Sequence, residues 1–151
     1  MSCNHKLINK WENYDESQEI KTNATIENKR LQFKRIQSIS SDKNQLINGF
    51  EREIFNFLEN EYDLTKELIH EKSIPEIQQS VIDGKLTYYK LSLFYLTRIY
   101  LIEFDKESYL NSIISINKNI LREAKNKDKI KNTNIYSLHG IPILLKDNIG
   151  F

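Results

Sequence analysis

The chain has 151 residues, 39% of them hydrophobic and 28% charged, with 22 basic against 21 acidic side chains and a net charge of +1. That length suits one domain able to bury about two thirds of its unfolded surface, and the even charge balance leaves no footprint for nucleic acid or an anionic membrane surface. Cys3 is the only cysteine, which excludes an intrachain disulfide and a cysteine-rich metal site. No apolar stretch approaches the roughly 18 residues a membrane span needs, and the N-terminal region lacks the apolar core of a secretory signal. A cytoplasmic location is therefore expected.

Residues 1–48 read as a polar, weakly ordered leader, unperiodic up to about residue 25 and able to form one short helix over Ile26–Ile39 on Leu31, Phe33, Ile36 and Ile39. Trp11 and Tyr14 are the residues with which this leader could dock. Residues 49–72 hold an amphipathic helix and a linker. Phe50, Ile54, Phe57 and Leu58 recur at helical spacing over about 50–60, and Leu64, Leu68 and Ile69 extend the pattern.

The next helix, about 74–83, has a start and a stop written into its ends. Ser73 and Glu76 make a capping box, Pro75 suits the first turn, and Gly84 suits the C-terminal cap. Thr87 then caps a longer helix, about 88–103, with Leu91, Phe94, Tyr95, Ile99 and Ile102 on one apolar stripe and Leu93, Leu96 and Tyr100 on a second. Such a helix is packed on two sides. A third helix is predicted over 108–125, burying Leu110, Ile113, Ile114, Ile120, Leu121 and Ala124. A polar connection over 126–134 leads to an apolar run, Gly140 to Leu145, closed by Lys146. A run without polar alternation reads as a strand, at 141–146, that buries both faces.

Lys146 has two readings on its own residues: a solvated strand end, or a cation at the mouth of a cleft whose burial lowers its pKa until it serves as a base. Asp147 and Asn148 are either strand-exit turn residues or supports that hold Lys146 in place. His139 has no partner at ligand spacing, because His5 and His70 lie far away in sequence, so no metal is expected and its job is to shape the bend at Gly140–Pro142.

The string Leu138-His139-Gly140-Ile141-Pro142-Ile143-Leu144-Leu145-Lys146-Asp147-Asn148-Ile149 resembles the opening motif of the amidase signature family. The resemblance covers residues 73–151. Within it Ser73–Gln78, Gly84–Thr87, Tyr95-Leu96-Thr97-Arg98-Ile99 and Leu110–Ile114 are similar, in the same order, to segments of that family's first three helices. It implies that this chain is mainly α, with three to five helices and one C-terminal strand, as the N-terminal part of an α/β fold with a mixed central sheet. It also implies hydrolysis of a carboxylic amide to acid plus ammonia or amine by a Ser–Ser–Lys triad, with Lys146 as the base and no cofactor. The implied substrate is a small-molecule or peptide amide.

The family keeps both serines in Gly/Ser-rich stretches after this motif, and none of the serines from Ser38 to Ser137 has such a context. The chain alone is therefore expected to be inactive, and its strand, lacking sheet neighbours, to leave it marginally stable and prone to aggregate. Two alternatives stay open. One is the equivalent piece of an aminoacyl-tRNA amidotransferase subunit, which His139 in place of alanine disfavours; the other is a helical interaction module without chemistry.

Overall fold

The structure, a computed structural model, describes residues 10–33 and 42–147. Cys3, His5, Ile36, Ile39 and Asn148 lie outside the described residues. Among those described there are six α-helices and no strand: α1 (Ser17–Ala24), α2 (Glu51–Asn60), α3 (Tyr62–Ile69), α4 (Ile74–Ile82), α5 (Tyr88–Glu103) and α6 (Ile120–Asp128). No helix among them is long and apolar enough to cross a membrane.

Helix α5 is the centre, packed by α2, α3 and α6. Leu91, Leu93, Phe94 and Leu96 are all buried, which needs cover on more than one side, as the doubled apolar pattern predicts. Tyr95 departs from its predicted stripe and is exposed. The α2 stripe behaves as expected, with Phe50, Ile54 and Phe57 buried in the same core. Its extension forms a separate helix. The backbone leaves helical geometry at Glu61 (φ −132°), and α3 restarts at an angle that stacks Tyr62 on Phe94 at 5.1 Å.

The termini of α4 and α5 are those their sequences call for. The Glu76 carboxylate accepts from the Ser73 N–H at 2.8 Å, and the Thr87 hydroxyl accepts from the Lys90 N–H at 3.1 Å. At the end of α4, Gly84 takes φ +74°, its N–H donates to Val81 O (3.0 Å), and the Lys85 N–H donates to Ser80 O (2.9 Å). That pairing satisfies carbonyls the helix would otherwise leave open, and the positive φ favours glycine there.

The helices differ in detail from the sequence-based expectations. The leader contains a helix, α1, although it buries no residue. Asp15, one residue before the N-cap Glu16, accepts from the Ser17 N–H (2.9 Å) and hydroxyl (2.5 Å), a local turn into the helix that apolar periodicity does not reveal. Of the possible helix over 26–39, residues 26–33 are described and hold a short 3-10 turn at Lys29–Leu31, and the rest lies outside the described residues. The third helix begins not at 108 but at Ile120, and Leu110 and Ile114 are exposed.

Side chains of residues 103–117 capture the backbone groups that a helix from 108 would need. Asp105 accepts from the Glu107 N–H (3.3 Å) and from the Ser108 hydroxyl, while Asn111 takes φ +52°. The Ser112 N–H goes to the Glu103 carboxylate at 2.8 Å, and the Asn119 N–H to Asn117 Oδ1 at 2.9 Å.

Glu103 is 1% exposed. Its Oε1 accepts from the Ser112 N–H and hydroxyl, and its Oε2 faces the Lys43 ammonium at 3.1 Å. Burial by itself pushes this carboxyl up, but the Ser112 hydrogen bonds and the Lys43 charge outweigh burial and hold it below the ordinary glutamate value. A carboxyl lowered in the folded state contributes stability above the unfolded value and loses it as pH falls through the folded one. Thermal melts followed by circular dichroism should therefore show stability falling as pH drops below about 4. Glu103→Gln should be the less stable protein at pH 7, by about 3 kcal/mol as for one removed partner of a buried pair. It should also lose less than the parent on acidification.

Candidate functional site

The sequence-predicted site residues follow a segment, 131–140, that α4 holds from below. Gln78 lies on the buried face of α4 beside Ile77 and is fully buried. Its amide nitrogen donates to Ser137 O (2.7 Å) and His139 O (2.9 Å). Its amide oxygen accepts from the Tyr88 hydroxyl (2.7 Å) and from Asn132 Nδ2 (3.3 Å). Each hydrogen-bonding position of this buried amide is used, which is the condition under which burial of an amide is tolerated.

The segment itself is a run of side-chain-stabilised turns. Asn132 Oδ1 accepts from the Asn134 N–H (3.1 Å), Asn134 Oδ1 from the Tyr136 N–H (3.0 Å), and Ser137 Oγ from the His139 N–H (3.0 Å). The helix before it is tied to the same place. Asp128, the last residue of α6, accepts from the Tyr88 and Tyr89 N–H groups at 2.7 and 3.1 Å, putting a carboxylate on the open N-terminus of α5.

At the top of this clasp the chain crosses the Tyr88 ring. His139 meets the ring edge-on at 5.3 Å, and its Nε2 lies 3.3 Å from Lys127 O. Gly140 follows at φ +73°, where an added Cβ would fall 2.4 Å from ring carbons. Both the left-handed backbone and the contact demand glycine. His139 therefore packs at the bend, against the Tyr88 ring.

Beyond the bend, the predicted strand is absent. Ile141 N–H closes a turn onto Leu138 O (3.1 Å), and residues 141–146 then run without ladder bonds among the described residues. A strand is completed by its neighbour, and the described residues supply none. Pro142, Ile143 and Leu144 instead form one wall of a cavity of about 570 Å³, opposite Ile99 and Ile102 of α5 and Ile113 of the following loop. This volume falls within the range of ligand pockets, roughly 300–1,000 Å³. Glu103 and Ser112 give it polar groups.

Lys146 and Asp147 are exposed and lie outside this lining, so the burial expected of Lys146 is not met by the described residues. Ser92, Ser112 and Ser115 line the cavity, but Lys146 does not join them there. The residues that fix the segment, Gln78, Tyr88, Asn132 and Asp128, were not singled out as site residues from the sequence. The one available signal was a glutamine beside Ile77 on an apolar helix face.

Gln78→Leu takes the hydrogen-bond partner from two carbonyls and from the Tyr88 hydroxyl donor, while Asn132 keeps its bond to Asn134 O, and should lower stability by roughly 2–4 kcal/mol. Hydrogen exchange should show the amides of residues 134–141 losing protection before those of α5. Gly140→Ala should release the same segment through the Tyr88 ring. Comparison with protein-family models, curated proteins and solved structures finds no match for this chain.

Proposed function

We propose that this chain is the lysine-bearing N-terminal portion of an amidase, with Lys146 the base of a Ser–Ser–Lys triad. The observation that carries the reading is the string Leu138–Ile149, standing after segments that resemble those of the amidase signature family in the same order, of which Leu110–Ile114 is not helical here. Helices α4 and α5, with their capping box and glycine stop, agree with that order. The glycine of the string is required where it stands, since Gly140 has φ +73° and a side chain there would meet the Tyr88 ring.

In this reading the two serines and the sheet come from polypeptide that packs over the exposed run Ile143–Leu145. Burial of Lys146 by the same polypeptide would disfavour its charge and leave it neutral. The neutral amine takes a proton from a bridging serine, which takes one from the nucleophilic serine as its oxygen attacks the amide carbonyl. The proton then passes to the departing amine, and water releases the acid. Asp147 and Asn148 hold the end of the run that carries the base. The chemistry uses side chains and backbone donors and needs no metal or organic cofactor.

The interaction-module reading draws on a different observation, the exposure of Ile143, Leu144 and Leu145, which leaves an apolar face for a partner to cover. Ammonia release from a panel of small aliphatic, aromatic and peptide amides separates the two. The 151-residue chain should release none. The chain extended with the coding sequence that follows Phe151 should hydrolyse at least one member, insensitively to chelator. Lys146→Ala in that extended protein should lower the rate by about a thousandfold or more. Activity that survived this substitution would overturn the assignment, and an inert extended protein would favour the interaction module.

A further inference from the structure

The stretch around Trp11 and the turn Lys43–Leu46 meet at one end of α5, and the contact between them is built around a cation. The Lys43 ammonium lies 4.2 Å from the Trp11 ring centroid and 4.4 Å from that of Tyr109, with the two rings edge-to-face at 4.7 Å. The carboxylate of Glu103 closes the third side at 3.1 Å. Lys43 is only 8% exposed. The Lys43 ammonium is thus desolvated against two aromatic faces and a carboxylate, so that removing either charge of the pair leaves the other buried and uncompensated. Asn44 adds a two-bond clasp, its Oδ1 accepting from the Trp11 N–H and its Nδ2 donating to Trp11 O, both at 2.9 Å.

The same carboxylate works in the other direction. Through Oε1 it holds the Ser112 N–H and hydroxyl, at 2.8 and 2.7 Å, and thereby fixes the loop 105–119. That loop supplies Tyr109 to the cation cage and Ile113 to the wall of the apolar cavity. A second tie connects loop and turn, from Lys118 Nζ to Gln45 O (2.6 Å) and Asn48 O (3.2 Å).

We infer that the Trp11 stretch and the Lys43 turn form a strap whose fastening through the Lys43 cation sets the loop wall of the apolar cavity, with Glu103 as the node that joins the two. Unfastening the strap loosens the wall and opens the cavity. The strap is thus a conformational control on whatever occupies that cavity, and it operates whether or not the chain belongs to an amidase.

Trp11 is the only tryptophan, so its emission reports the strap directly. The backbone amide of Ser112 reports the loop, and that of Ala124 in α6 serves as the reference. In Lys43→Met, Trp11 emission should move to longer wavelength, and Ser112 amide exchange should accelerate about tenfold or more beyond any acceleration at Ala124. Asn44→Ala, which touches neither Glu103 nor Ser112, should produce the same pair of changes to a smaller degree. Lys43→Arg keeps a cation between the rings and should resemble the parent.

A Trp11 shift with unchanged Ser112 exchange would overturn the coupling. Equal acceleration at Ser112 and Ala124 would mean general destabilisation and would overturn it too. Lys43→Arg behaving like Lys43→Met would overturn the role of the cation. Should Lys43→Met fail to fold, Asn44→Ala and Lys43→Arg decide the matter by the same readings.

Discussion

The arrangement of the C-terminal third depends on one buried amide. Gln78 sits where an aliphatic side chain would ordinarily complete the α4 face, and its four hydrogen bonds reach a carbonyl pair, a phenol and an asparagine from three parts of the chain. A buried amide lacking such partners would cost more than the burial returns. Segment 131–140 therefore cannot drift from α4 without stranding polar groups on both sides. The bend at Gly140, the packing of His139 on Tyr88 and the direction of the apolar run all follow from that tether.

Much of the helical architecture was legible because its signals are local. Ser73, Glu76 and Gly84 bracket α4, and Thr87 starts α5, through bonds that span no more than five residues. The doubled apolar pattern of α5 likewise predicted its central position. Segment 105–119 was misread because its apolar residues suggest a helix while Glu103, from the end of α5, withdraws the Ser112 N–H that a helix would use. Periodicity cannot register a competitor that arrives through tertiary structure.

The run at 141–146 failed as a strand for the opposite reason. Its composition is right, but a strand is a relation between two segments and the described residues contain only one. Lys146 is exposed for a related reason: a side chain is desolvated by what packs over it, and none of the described residues does so. Burial of a side chain is thus a property of its neighbours, which its own position in the sequence does not disclose. The clasp beneath the run was nearly invisible, because Gln78 and Asn132 are ordinary polar letters until their partners are known.

Asp128 has a topological consequence. By capping the first turn of α5 with the last residue of α6, it brings positions 88 and 128 together and turns everything between them into a closed excursion. Closure entropy grows only logarithmically with length, by about 0.6 kcal/mol for each doubling. Extra residues added near the outer part of 105–119, away from Glu103 and Ser112, would lengthen that excursion at little thermodynamic expense. Divergence in length should accumulate there, while the spacing from Asp128 to Gly140, pinned at both ends on Tyr88, has no such freedom.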